Sequence, residues 1–185
     1  MRACSILLVP FFEGERFYAE ALRRKLTEIF SLESFWSSPE PLSLESYDMN
    51  RAQYRAFDLL RTACLRKENP MQIVLGITEA DIYEDRLNFV FGLASAFYHC
   101  AVISTARLSN RFYDMAEDKR LLFRRIVTES VHEIGHTLGL EHCPDPHCVM
   151  HFSNSLADTD NKGYRFCPNC RRKVDISLAS CHTES

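Results

Sequence analysis

His132-Glu133-Ile134-Gly135-His136-Thr137-Leu138-Gly139-Leu140-Glu141-His142 is the stretch from which the rest of the chain is read. At about 100° per residue, Val127, Val131, Ile134 and Leu138 share one helical face, while His132 and His136 point to nearly the opposite side. Two histidines four residues apart stand one above the other, so both imidazoles can reach one zinc ion at about 2.0–2.1 Å. Glu133 projects between the two faces, where a carboxylate reaches water at the metal without ligating the metal itself. Gly139 accepts the left-handed conformation that ends a helix, so the chain can reverse and bring His142 back as a third ligand. Three protein ligands leave the open position that zinc catalysis needs. The expected chemistry is attack of activated water on a carbonyl, with Glu133 taking the water's proton and passing it to the leaving amine.

The preceding residues supply a frame for that helix, which is expected over roughly 118–140. Ser5–Phe11 is a continuous apolar strand, and an amphipathic helix over Glu15–Phe30 turns Phe17, Ala21, Leu22, Leu26, Ile29 and Phe30 inward. A short strand at Ser34–Ser37, a helix N-capped by Asn50 and running to about Lys67, and a buried strand at Gln72–Ile77 follow. Alternating strands and helices imply a mainly parallel sheet with right-handed crossovers. Asn88–Leu93 and His99–Ser104 are two further strands close in sequence, so one of them runs antiparallel at a sheet edge. The fold class is therefore α/β (α+β), a twisted mixed sheet with helices.

Composition narrows the function. The 185 residues carry 22 Lys+Arg against 25 Asp+Glu, a net charge of −3, with 46% hydrophobic and 25% charged residues. That is a folding domain with no global attraction for nucleic acid or an anionic membrane. The charge-free run from Leu87 to Ala106 is interrupted by Asn88, Ser95, His99, Ser104 and Thr105 and split by Gly92, which favours two strands over a membrane span. Met1–Phe12 runs into Glu13-Gly14-Glu15-Arg16 without a small-x-small cleavage site and reads as the first strand, not a leader. No pro-segment is evident ahead of it. A cytoplasmic protein is expected, where thiols stay reduced and clustered cysteines suggest metal.

Four of the eight cysteines are clustered. Cys143 and Cys148 form one pair, and Cys167-Pro168-Asn169-Cys170 forms a C-x-x-C. Two close pairs separated by a loop match a closed tetrahedral zinc site, which contributes folding energy outright. Such a site would order residues 141–170, a stretch read as a loop from its prolines, asparagines and aspartates. A short helix is expected from about Cys170. A redox C-x-x-C is the rival reading, though it needs no second pair, and His147 could replace one cysteine. Cys4, Cys64 and Cys100 read as small buried hydrophobes; they and Cys181 lie scattered without metal-ligand spacing.

The extended histidine motif followed at short distance by Met150 resembles the metzincin zinc peptidases. His142 followed directly by Cys143, then Cys148, Met150 and the later C-x-x-C is similar to the archaemetzincin family, although the 16 residues between Met150 and Cys167 are one fewer than in that family's pattern. Glu79–Tyr83, Leu87–Gly92 and Asp158-x-Asp160-x-Lys162 also resemble it. The resemblance implies a metallopeptidase with two Zn²⁺, one catalytic on His132, His136 and His142 and one structural on Cys143, Cys148, Cys167 and Cys170. It implies that Met150 sits in a turn beneath the catalytic zinc, and that an edge strand, Asn88–Leu93 or His99–Ser104, takes up an extended peptide. One catalytic domain over 1–185 is expected, with 1–139 as an N-terminal subdomain carrying the active-site helix and 140–185 as a small irregular zinc-stabilised one. Peptide or protein is the expected partner, without nucleic acid or membrane, and oligomeric state, substrate identity and cleavage preference are not legible. Two other readings remain: a zinc-stabilised binding module using Cys170-Arg171-Arg172-Lys173, and hydrolysis of a non-protein amide. Glu133 separates the first of these from an enzyme, since a structural site has no use for a base.

Overall fold

The computed structural model describes residues 4–183, and the side chains of 4–179. Strand β1 (Ser5–Pro10) is buried along its whole length, as a run that is apolar on both sides requires cover on both faces. Helix α1 (Ala19–Phe30) buries Leu22, Leu26 and Phe30, one residue per turn on a single face. It begins four residues later than Glu15 because Arg16 is held in the preceding turn, donating to Glu79 Oε1 at 2.6 Å and to the Glu13 carbonyl at 2.8 Å. Strand β2 (Glu33–Trp36) then pairs parallel with β1.

The helix expected from Asn50 is replaced in its first part by a hairpin. Asp48 Oδ1 accepts from the backbone N–H groups of Asn50 and Arg51 at 2.9 and 3.2 Å, a turn that an aspartate makes readily. The turn joins β3 (Tyr47–Asp48) to β4 (Gln53–Arg55), and helix α2 (Ala56–Cys64) starts only after it. Strand β5 (Ile73–Thr78) is central and fully buried, and the short β6 (Ile82–Tyr83) completes a small sheet with β3 and β4. Strands β7 (Gly92–Ser95) and β8 (Cys100–Ser104) close the main sheet in the order β2-β1-β5-β8-β7. Neighbours in it are parallel except β7, which is antiparallel to β8 at the edge. The edge strand is thus the first of the two candidates, but it starts at Gly92; residues 84–91 form a loop ahead of it. The charge-free run lies in these strands, and among the described residues no helix is long and apolar enough to cross a membrane.

The alternation of side chains along β1 divides the core. Ile6 and Leu8 pack with α1 and the active-site helix α3 (Lys119–Thr137), whereas Leu7 and Val9 pack with Leu59, Leu60 and Ala63 of α2. Helix α3 starts at Asp118, whose carboxylate accepts from the N–H groups of Arg120 and Leu121, both at 2.9 Å. Every residue from Arg125 to Gly135 is buried. His132 on the histidine face is therefore covered as well, by Val149 and Lys162 among the residues that follow α3.

Those residues are more ordered than their composition suggests. Helix α4 (Leu156–Lys162) interrupts the stretch read as a loop, and α5 (Pro168–Thr183) starts two residues before Cys170. Helix α4 is clamped to α3 by Asp160, which takes a two-pronged hydrogen bond from Arg125 at 2.8 and 2.7 Å. The scattered cysteines are a further correction: Cys64 and Cys100 form a disulfide, and Cys4 is disulfide-bonded as well. They are not free thiols, and the expectation of a reducing compartment loses that support. Cys181 lies outside the described side chains.

Helix α3 ends as the sequence implies. Gly139 has φ +84°, its N–H donates to the His136 carbonyl at 3.0 Å, and the Leu140 N–H donates to the Gly135 carbonyl at 3.1 Å. This pair of bonds is the Schellman arrangement, and it satisfies carbonyls that a helix end leaves open. Gly139→Ala should lower stability by about 1 kcal/mol, because a side chain disfavours the left-handed region. Denaturant unfolding of the variant measures it.

Candidate active site

The Schellman turn brings three imidazoles together. The ring centroids of His136 and His142 are 4.8 Å apart and those of His132 and His142 5.5 Å. One nitrogen from each lies within 4.8 Å of the others. Their tautomers follow from their partners. His132 Nδ1 is 2.7 Å from the Val149 carbonyl and 3.3 Å from Lys162 Nζ, and His136 Nδ1 is 2.7 Å from the Leu140 carbonyl; a carbonyl only accepts and is the nearer partner in each case, so both Nδ1 atoms are assigned the proton. Both Nε2 atoms are then bare lone pairs, and they face each other at 3.1 Å. Two acceptors at that distance repel unless a cation stands between them. Zinc–nitrogen bonds of about 2.0–2.1 Å in a tetrahedron put the nitrogens roughly 3.3 Å apart, so the pair fits a zinc ion. Burial lowers the pKa of all three histidines below the ordinary value, with Lys162 adding to the effect. They are neutral at pH 7, as ligands must be.

Glu133 follows on the same helix and is 6% exposed. Burial, reinforced by the Glu129 carboxylate one turn earlier and opposed by Lys162, pushes its carboxyl up to about 8. Glu129 is itself buried and paired: Lys162 Nζ stands 3.3 Å from Glu129 Oε1, Thr159 Oγ1 donates to the same oxygen at 3.0 Å, and Lys162 Nζ also donates to the His151 carbonyl at 3.1 Å. Both Glu133 and this pair line a cleft of about 770 Å³. Its other wall includes Phe89, Gly92, Leu93 and Ala94 of the edge strand and its loop, with Phe152 against the His142 ring at 4.9 Å.

Met150 lies in the turn that passes under the histidines. Its side chain is fully buried and its sulfur sits against the bare α-carbon of Gly135, so close that a β-carbon there would overlap it. The Met150 carbonyl accepts from the Cys143 N–H at 2.9 Å, which ties the turn to the residue beside His142. Next to it the sulfurs of Cys143, Cys148, Cys167 and Cys170 lie within 4.8 Å of one another, and none of the four is in a disulfide. Cys143 and Cys167 are 3.9 Å apart, close to the roughly 3.8 Å edge of a tetrahedron with 2.3 Å zinc–sulfur bonds. Backbone N–H groups point at two of these sulfurs, Cys167 N to Cys148 at 3.4 Å and Cys170 N to Cys167 at 3.5 Å, as suits thiolates. The hydrogen bond from Cys170 N pulls the Cys167 pKa down, while burial pushes Cys148 and Cys170 up. Four thiols gathered at this spacing, Cys148 and Cys170 buried and Cys143 and Cys167 half-buried, are suited to a cation.

All seven candidate ligands, Glu133 and Met150 are thus placed in one region. His147, the candidate substitute, is exposed and is absent from the sulfur cluster among the described residues. In the basic triplet, Arg171 is engaged within the protein, donating to Asp175 at 2.9 Å and to the Ile29 carbonyl at 2.6 Å. Sequence reading passed over Glu129, Lys162 and Gly92. Lys162 stood in the Asp158-x-Asp160-x-Lys162 string without a role, and Glu129, one turn before Glu133, offered the spacing that could have marked it.

A family model described as peptidase family M54 matches residues 44–176. The chain is similar to an archaemetzincin of Pyrococcus furiosus, 47% identical over 134 residues that cover 72% of this chain and 70% of that protein. Among solved structures, archaemetzincin from Archaeoglobus fulgidus complexed with malonate has a TM-score of 0.78 at 38% identity, covering 91% of this chain and 99% of that one. A zinc-dependent peptidase from Methanocorpusculum labreanum has a TM-score of 0.82 at 28% identity, covering 92% and 100%.

The contact at Gly135 reverses an ordinary rule. Glycine to alanine inside a helix usually stabilises by about 1 kcal/mol, but here the added methyl meets Met150 and comes within 3.4 Å of Phe166. Gly135→Ala should therefore lower the melting temperature, since overpacking costs about 1–3 kcal/mol. Calorimetry gives the sign directly.

Proposed function

The chain belongs to peptidase family M54 and is a zinc metallopeptidase, and we propose that His132, His136 and His142 hold its catalytic zinc with Glu133 as the base. The observation that carries this reading is the pair of Nε2 atoms facing each other 3.1 Å apart, beside a buried carboxyl with an elevated pKa. When bound, zinc polarises the scissile carbonyl, brings the pKa of water down to about 7 and, as the largest local charge, favours the ionised form of Glu133. The chain's own residues do the rest. The Val149 and Leu140 carbonyls fix the tautomers of His132 and His136. Glu133 takes the proton of the attacking water on its carboxylate and returns it to the departing amine. The Glu129–Lys162 pair, balanced in charge, backs the first imidazole.

Peptide is the proposed substrate, laid along β7. That strand has β8 on one side only, and its Gly92, Leu93 and Ala94 line the cleft, which supports pairing of an extended chain with the free edge. Cys143, Cys148, Cys167 and Cys170 are the proposed holders of a second, structural zinc. The chain then reads as one catalytic unit over 1–185, with 1–139 carrying the helix of the base and 140–185 carrying the Met150 turn and the thiols.

Glu133→Gln should keep the fold and the metal content while kcat falls roughly 10²–10⁴-fold, since an amide cannot accept the proton. Steady-state kinetics on a library peptide that the wild-type chain cleaves tests it, and an undiminished rate would move the base elsewhere. Metal removal should separate the two sites. Elemental analysis is expected to give two zinc ions per chain, with the four clustered thiols resisting alkylation. Cys167→Ser should lower the melting temperature and weaken zinc at the histidines, because His142 is bonded directly to Cys143, whereas His136→Ala should empty the histidine site alone.

A further inference from the structure

Gly92, the first residue of β7, faces the glutamate side chain of the active-site helix. A β-carbon built on it would lie 2.7 Å from Cγ, 2.7 Å from Oε1 and 2.8 Å from Cδ of Glu133, and these are its three nearest neighbours. Gly76, a glycine within β5, is different: there the space is filled by Phe11, Ala63 and Val102, an ordinary packing glycine. Nor does the backbone at 92 demand glycine, because the glycines with positive φ are 14, 139 and 163. Alanine is the better residue for a strand on backbone grounds. What stands where a side chain at this position would go is the carboxylate of the active-site helix.

We propose that Gly92 is a positioning residue for Glu133, its bare α-carbon being the wall that sets where the carboxylate stands. Among the described residues no hydrogen bond holds that carboxylate, so contact must place it. The wall is firm. Gly92 pairs with Ile103 of β8, and the Ser104 N–H donates to the Phe91 carbonyl at 2.8 Å, just before the strand begins. The edge backbone cannot retreat without breaking the ladder, so a methyl at 92 displaces the glutamate instead. The same residue borders the proposed peptide path, and it therefore references the base and the substrate backbone to one point. This inference rests on the reading of Glu133 as the base.

The test compares zinc-loaded full-length Gly92→Ala, Glu133→Gln and wild type on a library peptide that the wild-type chain cleaves, with melting temperatures and zinc content measured alongside. Gly92→Ala should lose at least about tenfold in kcat, as misplacing a reacting group by about 1 Å can, with KM within about twofold, zinc retained and the fold kept. Wild-type kcat in Gly92→Ala beside an inactive Glu133→Gln overturns the proposal while leaving the base in place. A raised KM with kcat retained also overturns it, since the methyl would then be obstructing the peptide. If Glu133→Gln stays active, the reading of the base fails instead, and a melting cycle judges Gly92 separately. There Gly92→Ala is measured with and without Glu133→Ala, and the proposal requires the alanine to be better tolerated once the glutamate side chain is gone. Equal effects in both backgrounds, including failure to fold in both, sink it.

Discussion

The crossing of the Met150 turn beneath α3 is the constraint on which the site depends. Gly135 has no side chain, so the Met150 sulfur reaches the helix backbone. That approach sets the Val149 carbonyl under His132, where it fixes the tautomer, and lets the Met150 carbonyl take the Cys143 N–H next to His142. One close contact thus orients the His132 imidazole from below and ties down the backbone beside His142. The helix supplies their spacing and the turn supplies their direction.

The residues after α3 are held without a large apolar core of their own. Asp160 receives Arg125, Lys162 meets Glu129, and the four cysteine sulfurs gather beside Met150. Buried ion pairs add little net stability, but removing one partner is costly. Their use here is register: α4 can sit against α3 in one way only, with Lys162 under His132. The cleft floor is accordingly specified by polar contacts, while its roof is specified by the strand ladder.

How far the sequence could be read follows from which forces act locally. Helix periodicity placed Val127, Val131 and Ile134 in the core, and the glycine after Leu138 marked the helix end, because both signals are contained within a few residues. The alternating strands gave the mixed sheet and its antiparallel edge for the same reason. The hairpin before α2 was missed because one side chain, the Asp48 carboxylate, decides it by accepting from two backbone N–H groups, against a good helical pattern. The histidine face was expected to lie outside the core, yet His132 on it is buried, since its cover comes from Val149 and Lys162, 17 and 30 positions away. Glu129 and Lys162 make sense only as a pair, and no local pattern joins them. The Cys64–Cys100 bridge was invisible for a related reason: three strands, β5, β6 and β7, separate its ends.

That bridge spans 36 residues, a segment that contains β5, β6 and β7. In the chain-entropy view, closing such a loop narrows the unfolded ensemble by about 4 kcal/mol. The restriction falls on the roof of the cleft, the part without the clustered thiols. Sulfur is therefore used twice in this fold, as a covalent bridge above the cleft and as a cluster of four cysteines outside any disulfide below it. A reductant and a chelator would act on opposite walls of the same cavity.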